Sequence, residues 1–315
     1  MNTAYLWLEH LSQPAPSVLT VGTFDGVHRG HQVILRHVRE RARALGLRSL
    51  ALTFHPHPRA VLYPQEGPFR LLSTLAERSY LIHELGIEQV VVAHFDQDFA
   101  QMDSESFVRE VLLKRLGMRE IVVGYDHHFG KGRRGDPETL RRLAARWGFS
   151  VEVIPPQHVD ELAVSSTQIR RALQQGKLAL ARELLGRPYW ISGVVVAGQG
   201  RGRELGFPTA NLALPPEKLL PPYGVYVVDV CTSEGVRYRG MLNLGSRPTF
   251  QEEEPLAEVH LLEFSGNLYG QMLWVELLAY LRPIARFPDA EALRRQLEED
   301  RARCASFRPD VPLHA

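Results

Sequence analysis

The chain has few cysteines, almost no net charge and no long run of apolar residues. Its 315 residues include only Cys231 and Cys304, too few and too far apart for a disulfide framework or a zinc site, so we expect free thiols in a reducing compartment. A formal net charge of +1 gives no long-range attraction for nucleic acid or an anionic membrane. The start of the chain lacks a signal-peptide pattern, and no apolar run has the length of a membrane span. These absences predict a soluble, cytoplasmic protein with no nucleic-acid or membrane partner, and they leave homo-oligomerisation open.

Asparagine is also scarce. It occurs only at positions 2, 211, 243 and 267, and the last three each lie in a stretch marked by Gly or Pro, where we expect a turn. Because the chain uses this residue so rarely, the pattern suggests that these three are present for their side-chain amides.

Two patterns of hydrophobic periodicity meet near residue 186. From residue 18 to about 185, apolar runs typical of buried strands alternate with helical patterns, which predicts an α/β domain with a parallel sheet. The predicted strands are 48–54, 87–94, 119–124 and 150–155, and the predicted helices are 31–45, 74–86, 104–117 and 137–148. After residue 186, short β-rich runs punctuated by Gly and Pro predict a closed or nearly closed β-structure, and residues 289–305 predict one terminal helix packed on it. We therefore expect two domains, 1–185 and 186–315.

The most informative stretch is the Gly-rich turn at residues 22–32, which carries two histidines between a predicted strand and a predicted helix. Backbone N–H groups and the positive end of the helix dipole meet at such a turn, so it is suited to bind phosphate. His28 and His31, three residues apart, can point into it together and offset the negative charge that grows as a phosphorus is attacked. The pair favours nucleotidyl transfer over the alternative that both are helix caps or solvated side chains.

Two more segments follow predicted strands, where the ligands of parallel sheets bind. The prolines of residues 53–59 hold an extended loop, which either carries two histidines and an arginine toward a ligand or is a plain surface loop. Residues 124–132 place a carboxylate, Asp126, between flexible glycines. A metal site at His127 and His128 is disfavoured, because adjacent side chains in an extended loop point apart.

A second anion site is predicted at the helix start of residues 165–170. Ser or Thr at such a position is most often an N-cap, but Arg170 lies one turn further on. Hydroxyls, N–H groups and a guanidinium at one helix end match phosphate oxygens. Because the chain has no Walker loop, phosphate binding in this half would depend on the two histidines and this clamp.

The Gly-rich stretch at residues 198–211 is not a dinucleotide fingerprint. Arg203 stands where the third small residue belongs, and Pro208 forbids the continuing helix. A flap over phosphates, including Gly200 and Gly202, is the remaining functional interpretation. Thr209 and Asn211 offer a hydroxyl and an amide oxygen, which are hard ligands suited to Mg²⁺, although a turn with its own local hydrogen bonds is the alternative.

Glu258 is the candidate general base of the second half. It is flanked by apolar residues within a β-rich run and is expected to face the barrel interior or its mouth. Deprotonating an alcohol that attacks the γ-phosphate needs hydrogen-bond reach more than a shifted pKa. Glu263 is its competitor. The segment of Arg282 is interpreted as structural, with a phosphate contact of Arg282 as the alternative.

Together these motifs resemble those of the bacterial bifunctional riboflavin kinase/FMN adenylyltransferases, also called FAD synthetases. The match covers nearly the whole chain in order: G-x-F-D-G-V-H-x-G-H-Q at 22–32, F-x-P-H-P at 54–58, S-S-T-x-I-R at 165–170, G-R-x-L-G-F-P-T-A-N at 202–211 and N-x-G-x-R-P-T-F at 243–250. The resemblance implies an α/β Rossmann-like nucleotidyltransferase domain followed by an all-β six-stranded barrel domain with a C-terminal helix.

The resemblance also implies two activities. The first domain would adenylylate FMN with ATP to give FAD and pyrophosphate, and the second would phosphorylate riboflavin to FMN with ATP and Mg²⁺. In the first domain Asp126 would lie by the flavin, with His28 and His31 catalytic, and the ATP phosphates would be held by a set comprising Gly22, Phe24, Gly30, Ser166, Thr167 and Arg170.

For the second domain the resemblance implies a separate set. Glu258 would activate the ribityl hydroxyl, and Thr209 and Asn211 would coordinate Mg²⁺. The remaining contacts would be the phosphate-binding flap and the flavin-binding side chains, namely Gly200, Gly202, Arg203, Asn243 and Arg247.

Two departures and two rival functions accompany this interpretation. His127 stands where the family usually has an aromatic residue, and Ala197 stands where it commonly has His. The main rival is a single-activity FMN adenylyltransferase whose β-domain binds flavin without catalysis. Loss of Thr209, Asn211 or Glu258 would have favoured it, and all three are present. The second rival is a non-enzymatic interaction protein, which would have no reason to keep both constellations.

Overall fold

The structure is a computed structural model that describes residues 4–11, 14–159, 161–198, 202, 205–248 and 253–308. Its Cα atoms group into two compact units, Met1–Ser166 and Thr167–Ala315. Each unit has its own sheet and is described by itself. The domain boundary near residue 186 stays a prediction.

The first unit is built on a six-stranded parallel sheet in the order β1-β4-β3-β2-β5-β6. Its strands are β1 (Leu6–Trp7), β2 (Ser17–Val21), β3 (Arg48–His55), β4 (Gln89–His94), β5 (Met118–Gly124) and β6 (Ser150–Ile154). A small antiparallel ribbon of β7 (His158–Val159) and β8 (Leu162–Ala163) follows.

Helices connect these strands. They are α1 (Arg29–Leu45), α2 (Pro58–Leu62), α3 (Leu75–Glu84), α4 (Gln97–Ala100), α5 (Ser104–Ser106), which runs into a π-helix (Phe107–Arg115), and α6 (Pro137–Trp147). Short 3₁₀ turns lie at Leu8–His10, Pro64–Glu66 and Lys131–Arg133. Local sequence explains the ends: Thr74 and Glu77 form a capping box at α3, and Asp136 caps α6 ahead of Pro137.

Both faces of the parallel sheet are covered. Every residue of β2 is buried, as expected for a strand with helices on each side. On one face, α1 buries Leu35, Val38 and Ala42. On the other, the π-helix and α6 contribute apolar side chains to a continuous core with β2, β3, β4 and β5. Each fully buried leucine contributes roughly 1.5–3 kcal/mol relative to exposure, so this core fixes the frame that carries the strand-end loops.

The strand order creates a switch point between β2 and β5. From β2 the chain moves to β3 and then β4, and afterwards it returns to place β5 on the opposite side of β2. The loops that follow β2 and β5 therefore leave the sheet in opposite directions. In open α/β sheets the crevice outside the carboxyl ends of two such strands is where ligands bind.

The second unit contains a closed antiparallel barrel in the order β10-β13-β12-β11-β14-β9. Its strands are β9 (Tyr189–Val196), β10 (Ala210–Ala213), β11 (Gly224–Cys231), β12 (Arg237–Pro248), β13 (Glu253–Leu261) and β14 (Met272–Arg282). Pairing of β9 with β10 closes the ring. The helices are α7 (Ser166–Gln174), whose first residue belongs to the first unit, α8 (Leu178–Leu185) and α9 (Ala290–Ser306).

The C-terminal helix α9 packs on the outside of the barrel. Cys304 lies in one apolar cluster with Val227 of β11 and Met241 of β12. Asp300 is fully buried and pairs with Arg282 of β14 at 2.7 Å. The barrel with its terminal helix and the parallel sheet before it confirm the predicted fold class. Within the residues described, no helix is both long and apolar enough to cross a lipid bilayer.

Candidate active sites

The turn after β2 has a backbone that few side chains tolerate. Phe24 and Val27 adopt φ values of +47° and +40°, and Gly26 adopts +84°. A non-Gly residue in this region costs on the order of 1–3 kcal/mol and persists only where its surroundings impose it. The Phe24 ring packs over Gly22, where an added methyl group would lie 3.1 Å from it. The turn is therefore compact and fixed by its contacts, and α1 begins directly after it.

The two histidines of this turn form a stacked pair. His28 is the N-cap of α1, and its Nδ1 accepts a hydrogen bond from the backbone N–H of His31 at 3.4 Å. The two imidazole rings lie 3.6 Å apart at an interplanar angle of 18°, and Phe24 meets His31 edge-on at 5.2 Å. Gly30 leaves room for the pair, since a methyl group there would approach the His28 ring to 3.3 Å. The structure thereby brings both imidazoles to the first turn of α1, beside the switch point.

Hydrogen bonds link the buried carboxylate of the histidine turn to the segment just before α3. Asp25 is 1% exposed and accepts hydrogen bonds from the backbone N–H groups of Leu72 and Ser73, at 3.2 and 2.9 Å. The Ser73 hydroxyl in turn accepts from the N–H of Gly26 at 2.8 Å. Ser166, at the start of α7, donates its hydroxyl to the Asp25 carbonyl at 2.9 Å. Ser166 is therefore in contact with the histidine turn.

Thr167 and Arg170 belong to the second compact unit. Thr167 is exposed and Arg170 is half-buried. Arg170 follows Ser166 by four residues within α7, which places the two side chains on the same helix face. Their part in a phosphate clamp stays a prediction.

The loop after β5 lies on the other side of the switch point. Asp126 is exposed, and a methyl group added to Gly124 would lie 3.3 Å from its Oδ1 and 3.5 Å from Ile34 of α1. The ring of His127 stacks on Phe129 at 5.6 Å. Removal of its ring from water lowers the pKa of His127 to about 4, and the positive charges of His128 and Arg133 act in the same direction. His127 is therefore a neutral aromatic ring at neutral pH.

The 53–59 loop places its second histidine at the start of a helix. His57 caps α2 by accepting from the N–H of Arg59 at 3.1 Å, and its ring stacks on Phe69 at 4.4 Å. Among the described residues, no three His, Cys, Asp or Glu side chains come together as a metal-binding group.

In the barrel, three candidate residues form one row across adjacent strands. Asn211 of β10 lies directly opposite Glu258 of β13, and Glu258 lies directly opposite Asn243 of β12. Residues directly opposite each other share a face of the sheet. The Asn243 Nδ2 donates to the Glu258 Oε2 at 3.5 Å. A carboxylate thus lies between two amides, with Asn211 buried and the other two half-buried.

This row lies on the outer face of the barrel wall, not in its interior. Ala257 and Val259, the neighbours of Glu258, are buried and face the opposite way. Asn243 shares its face with Met241, which packs with Cys304 of α9. Glu258 therefore does not face the interior, because the buried side of β13 is already filled by those two apolar residues. A place at the mouth of the barrel stays a prediction.

The segment before β10 is held by a histidine that the sequence analysis did not single out. His260, 9% exposed, lies on the same face of β13 as Glu258, and its Nδ1 donates to the Pro208 carbonyl at 2.8 Å. Its ring meets Phe207 edge-on at 5.4 Å, and burial lowers the pKa of His260. Thr209 is the next residue, so this hydrogen bond fixes the backbone immediately before the candidate metal ligands Thr209 and Asn211. Its two-residue spacing from Glu258 was the available signal.

Other second-half candidates are placed differently. Gly202 is described, and its carbonyl accepts from the N–H of Phe207 at 2.8 Å. Gly200 and Arg203 lie outside the described residues. Arg247 is placed by its backbone alone, opposite Glu254 in the β12-β13 ladder. Arg282 forms an ion pair with Asp300 of α9, as described above. This contact gives a structural reason for an arginine at position 282.

Comparison with known proteins settles the family. A family model described as FAD synthetase matches residues 10–168, and one described as riboflavin kinase matches residues 185–307. The chain is 40% identical over 282 residues to a bifunctional riboflavin kinase/FMN adenylyltransferase of Haemophilus influenzae, with 90% of this chain and 91% of the relative covered. The namesake from Pseudomonas fluorescens is 41% identical over 284 residues, with 90% of each covered.

The chain belongs to the bifunctional riboflavin kinase/FMN adenylyltransferase family.

One solved structure has the same fold over nearly the whole chain. A crystal structure described as a macrolide-efflux protein from Streptococcus pneumoniae aligns with a TM-score of 0.86 at 32% identity, covering 96% of this chain and 97% of that one. The efflux description belongs to that protein. The alignment shows that a sheet and a barrel like those of this chain occur together in one other chain.

Each candidate site lies within one of the two family matches. The stacked imidazoles, Asp25 and Asp126 fall inside the FAD synthetase match, whereas the Asn211–Glu258–Asn243 row falls inside the riboflavin kinase match. The two departures from the bifunctional family's pattern are both described residues. His127 keeps a ring at the usual aromatic position, and Ala197 is exposed at the end of β9.

The residues of the second site fit a hard divalent cation. Thr209 and Asn211 offer only oxygen donors as ligands, beside the carboxylate of Glu258, which is the donor chemistry that Mg²⁺ takes. A methyl group at Gly198 would collide with the carboxamide of Asn211. Backbone without a side chain therefore lies against that amide.

Proposed function

We propose that the two activities of this family occupy separate sites in this chain. The first unit, with the histidine turn, transfers the adenylyl group of ATP to FMN. The barrel, with the Asn211–Glu258–Asn243 row, transfers the γ-phosphoryl group of ATP to riboflavin. The observation that supports this division most strongly is that the stacked histidine pair lies within the FAD synthetase match, whereas the Asn211–Glu258–Asn243 row lies within the riboflavin kinase match.

Adenylyl transfer in the first unit is in-line attack of the FMN phosphate on the α-phosphorus, with pyrophosphate as the leaving group. His28 and His31 lie at the N-terminus of α1, where the helix dipole favours anions. Donors fixed at that position stabilise charge that develops on the phosphate oxygens, without reorganisation during the reaction. The stacked geometry and the strained turn hold these donors ready. No covalent enzyme intermediate is needed.

Phosphoryl transfer on the barrel begins with the ribityl hydroxyl of riboflavin. Glu258 accepts the proton of that hydroxyl as the oxygen attacks the γ-phosphorus. Asn243 donates to Glu258 and would orient its carboxylate. We also assign Asn243 a contact with the flavin. Thr209 and Asn211 would hold Mg²⁺, which neutralises charge on the ATP phosphates when bound. His260 fixes the chain just ahead of those two ligands through the Pro208 carbonyl.

The test is an assay of the purified chain with riboflavin and Mg·ATP, with FMN and FAD separated by chromatography. We expect FMN to appear first and FAD to follow. FAD formation from added FMN without FMN formation from riboflavin would establish the rival single-activity adenylyltransferase with a flavin-binding β-domain. Omission of Mg²⁺ should abolish the kinase step, which tests the proposed cofactor. The cytoplasmic location remains a prediction.

A further inference from the structure

A guanidinium is buried beneath the histidine turn, and the chemistry above does not use it. Arg78 of α3 is 1% exposed and ranks among the largest fully buried side chains of the described residues. Burial lowers the pKa of Arg78 to about 10, and the nearby Asp25 carboxylate opposes this shift, so the group is charged at neutral pH. A buried charge costs several kcal/mol unless its surroundings compensate for it. Such a side chain requires an explanation from its contacts.

Arg78 binds the ends of two neighbouring strands at the switch-point edge of the sheet. Its Nη1 donates to the Thr23 carbonyl at 2.7 Å, and its Nη2 donates to the Phe54 carbonyl at 3.1 Å. The hydroxyl of Thr53 also donates to the Thr23 carbonyl, at 3.2 Å. The carbonyl immediately before Phe24 therefore receives two donors. A planar fork that joins two carbonyls is a contact that lysine cannot reproduce.

These contacts lie where the backbone strain begins. Phe24, with a positive φ, is the next residue after Thr23, and Val27, also with a positive φ, comes just before His28, where the turn ends. The residues just before α3 fix the turn a second time, because the backbone N–H groups of Leu72 and Ser73 donate to Asp25. Strained backbone of this kind is maintained only when several contacts determine it.

We propose that Arg78 is a positioning residue for adenylyl transfer, acting by fixing the Thr23 carbonyl so that the turn presents the imidazoles of His28 and His31 in the stacked arrangement. This inference rests on the proposed function of the first unit. Arg78 is too deeply buried to touch a nucleotide, and it acts through the backbone. Its position on the buried stripe of α3, with Leu75, Ser79 and Ile82, shows that a charged residue occupies a core position.

The experiment compares Arg78→Met with Arg48→Met. Arg48 is a half-buried arginine at the opposite, amino-terminal end of β3, and its Nη2 donates to the Leu116 carbonyl at 3.0 Å. Both variants lose a guanidinium-to-carbonyl contact in the same unit, but only one lies under the turn. For each variant, kcat and KM for ATP in FAD formation, riboflavin phosphorylation and the melting temperature are measured.

We expect Arg78→Met to lower kcat of FAD formation by about 30-fold, while KM for ATP and riboflavin phosphorylation stay within about two-fold. Arg78→Lys should give an intermediate kcat, because an ammonium reaches one carbonyl only. Arg48→Met should leave both activities within about two-fold, whatever its melting temperature. A loss in Arg48→Met as large as that in Arg78→Met would show a structural effect only and overturn the proposal.

A milder variant decides the matter if Arg78→Met does not fold. Thr53→Val removes the second donor to the Thr23 carbonyl at nearly constant volume, and we expect kcat of FAD formation to fall about five-fold. Unchanged FAD formation in Thr53→Val, or in a folded Arg78→Met, overturns the positioning role alone. A wild-type chain that makes no FAD at all would instead refute the proposed function of the first unit.

Discussion

His28 has a structural role as a helix cap, and we propose a chemical role for it as well. It caps α1, but its bond to the N–H of His31 is long, at 3.4 Å, whereas the cap of Asp136 on α6 is 2.8 Å. The stacked ring pair, held by Gly30 and by the edge of Phe24, is more specific than a cap requires. The geometry of the ring pair therefore favours a ligand-binding role for His28 in addition to capping.

His127 leads to a prediction about pH. The pKa of His127 in the folded chain is about 4, below its ordinary 6.5, mainly because the ring is withdrawn from water. The unfolded chain therefore binds a proton between pH 6.5 and 4 that the folded chain does not, so stability falls as the pH is lowered through this window. This contribution to the loss of stability should be absent in His127→Phe, which restores the usual aromatic residue and cannot titrate.

The measurement is the melting temperature of wild type and His127→Phe from pH 7 to pH 4.5. All other titratable groups are shared, so their acid effects cancel in the difference. We expect the wild type to become progressively less stable relative to His127→Phe as the pH falls. A difference that stays constant across this range would contradict the account of His127.

Among the elements, α9 depends on one buried ion pair. Asp300 is fully buried and Arg282 is 16% exposed, and their side chains meet at 2.7 Å. Removal of one partner leaves the other as an uncompensated buried charge, which costs roughly 3–5 kcal/mol. We therefore expect Arg282→Met to destabilise the barrel by about this amount in denaturant unfolding.

The same helix offers a matched control. Arg294 and Glu298 form an exposed pair at 3.3 Å on α9. Glu298→Ala should change the free energy of unfolding by about 0.5 kcal/mol or less. Equal effects of Arg282→Met and Glu298→Ala would show that the buried pair does not anchor the helix.

Hydrophobic periodicity predicted the long elements well and the short ones poorly. The alternation of strands and helices located β3 to β6, α1 and α6 to within a few residues, and residues 289–305 predicted α9. The two-residue β1 was not predicted, because its pairing with β4 is a tertiary contact. The predicted helix at 104–117 is largely a π-helix, and apolar spacing does not distinguish the two forms.

At the level of the whole chain, the site residues were predictable as types but not as neighbours. Family motifs indicated Asn211, Asn243 and Glu258, whereas their alignment in one row depends on the register of β10, β13 and β12. Local sequence does not specify that register. The position of the row on the outer face could not be predicted for the same reason. Alternation in β13 shows which residues face opposite sides of the strand, but it does not show which of the two sides α9 covers.

The central claim is that two independent sites share one chain, and a mixing experiment tests it directly. His28→Ala should form FMN but no FAD, and Asn211→Ala should form FAD from added FMN but no FMN from riboflavin. Each lost contact should cost roughly 3–4 kcal/mol in the affected step. Arg48→Met, at the amino-terminal end of β3 and so opposite the strand ends that carry the candidate residues, serves as the folded control with both activities.

The deciding sample contains His28→Ala and Asn211→Ala together, with riboflavin and Mg·ATP. Because FMN released by the first variant is a substrate of the second, we predict that the mixture converts riboflavin to FAD although neither variant does so alone. A mixture that forms no FAD, with each variant having lost both activities, would contradict the account.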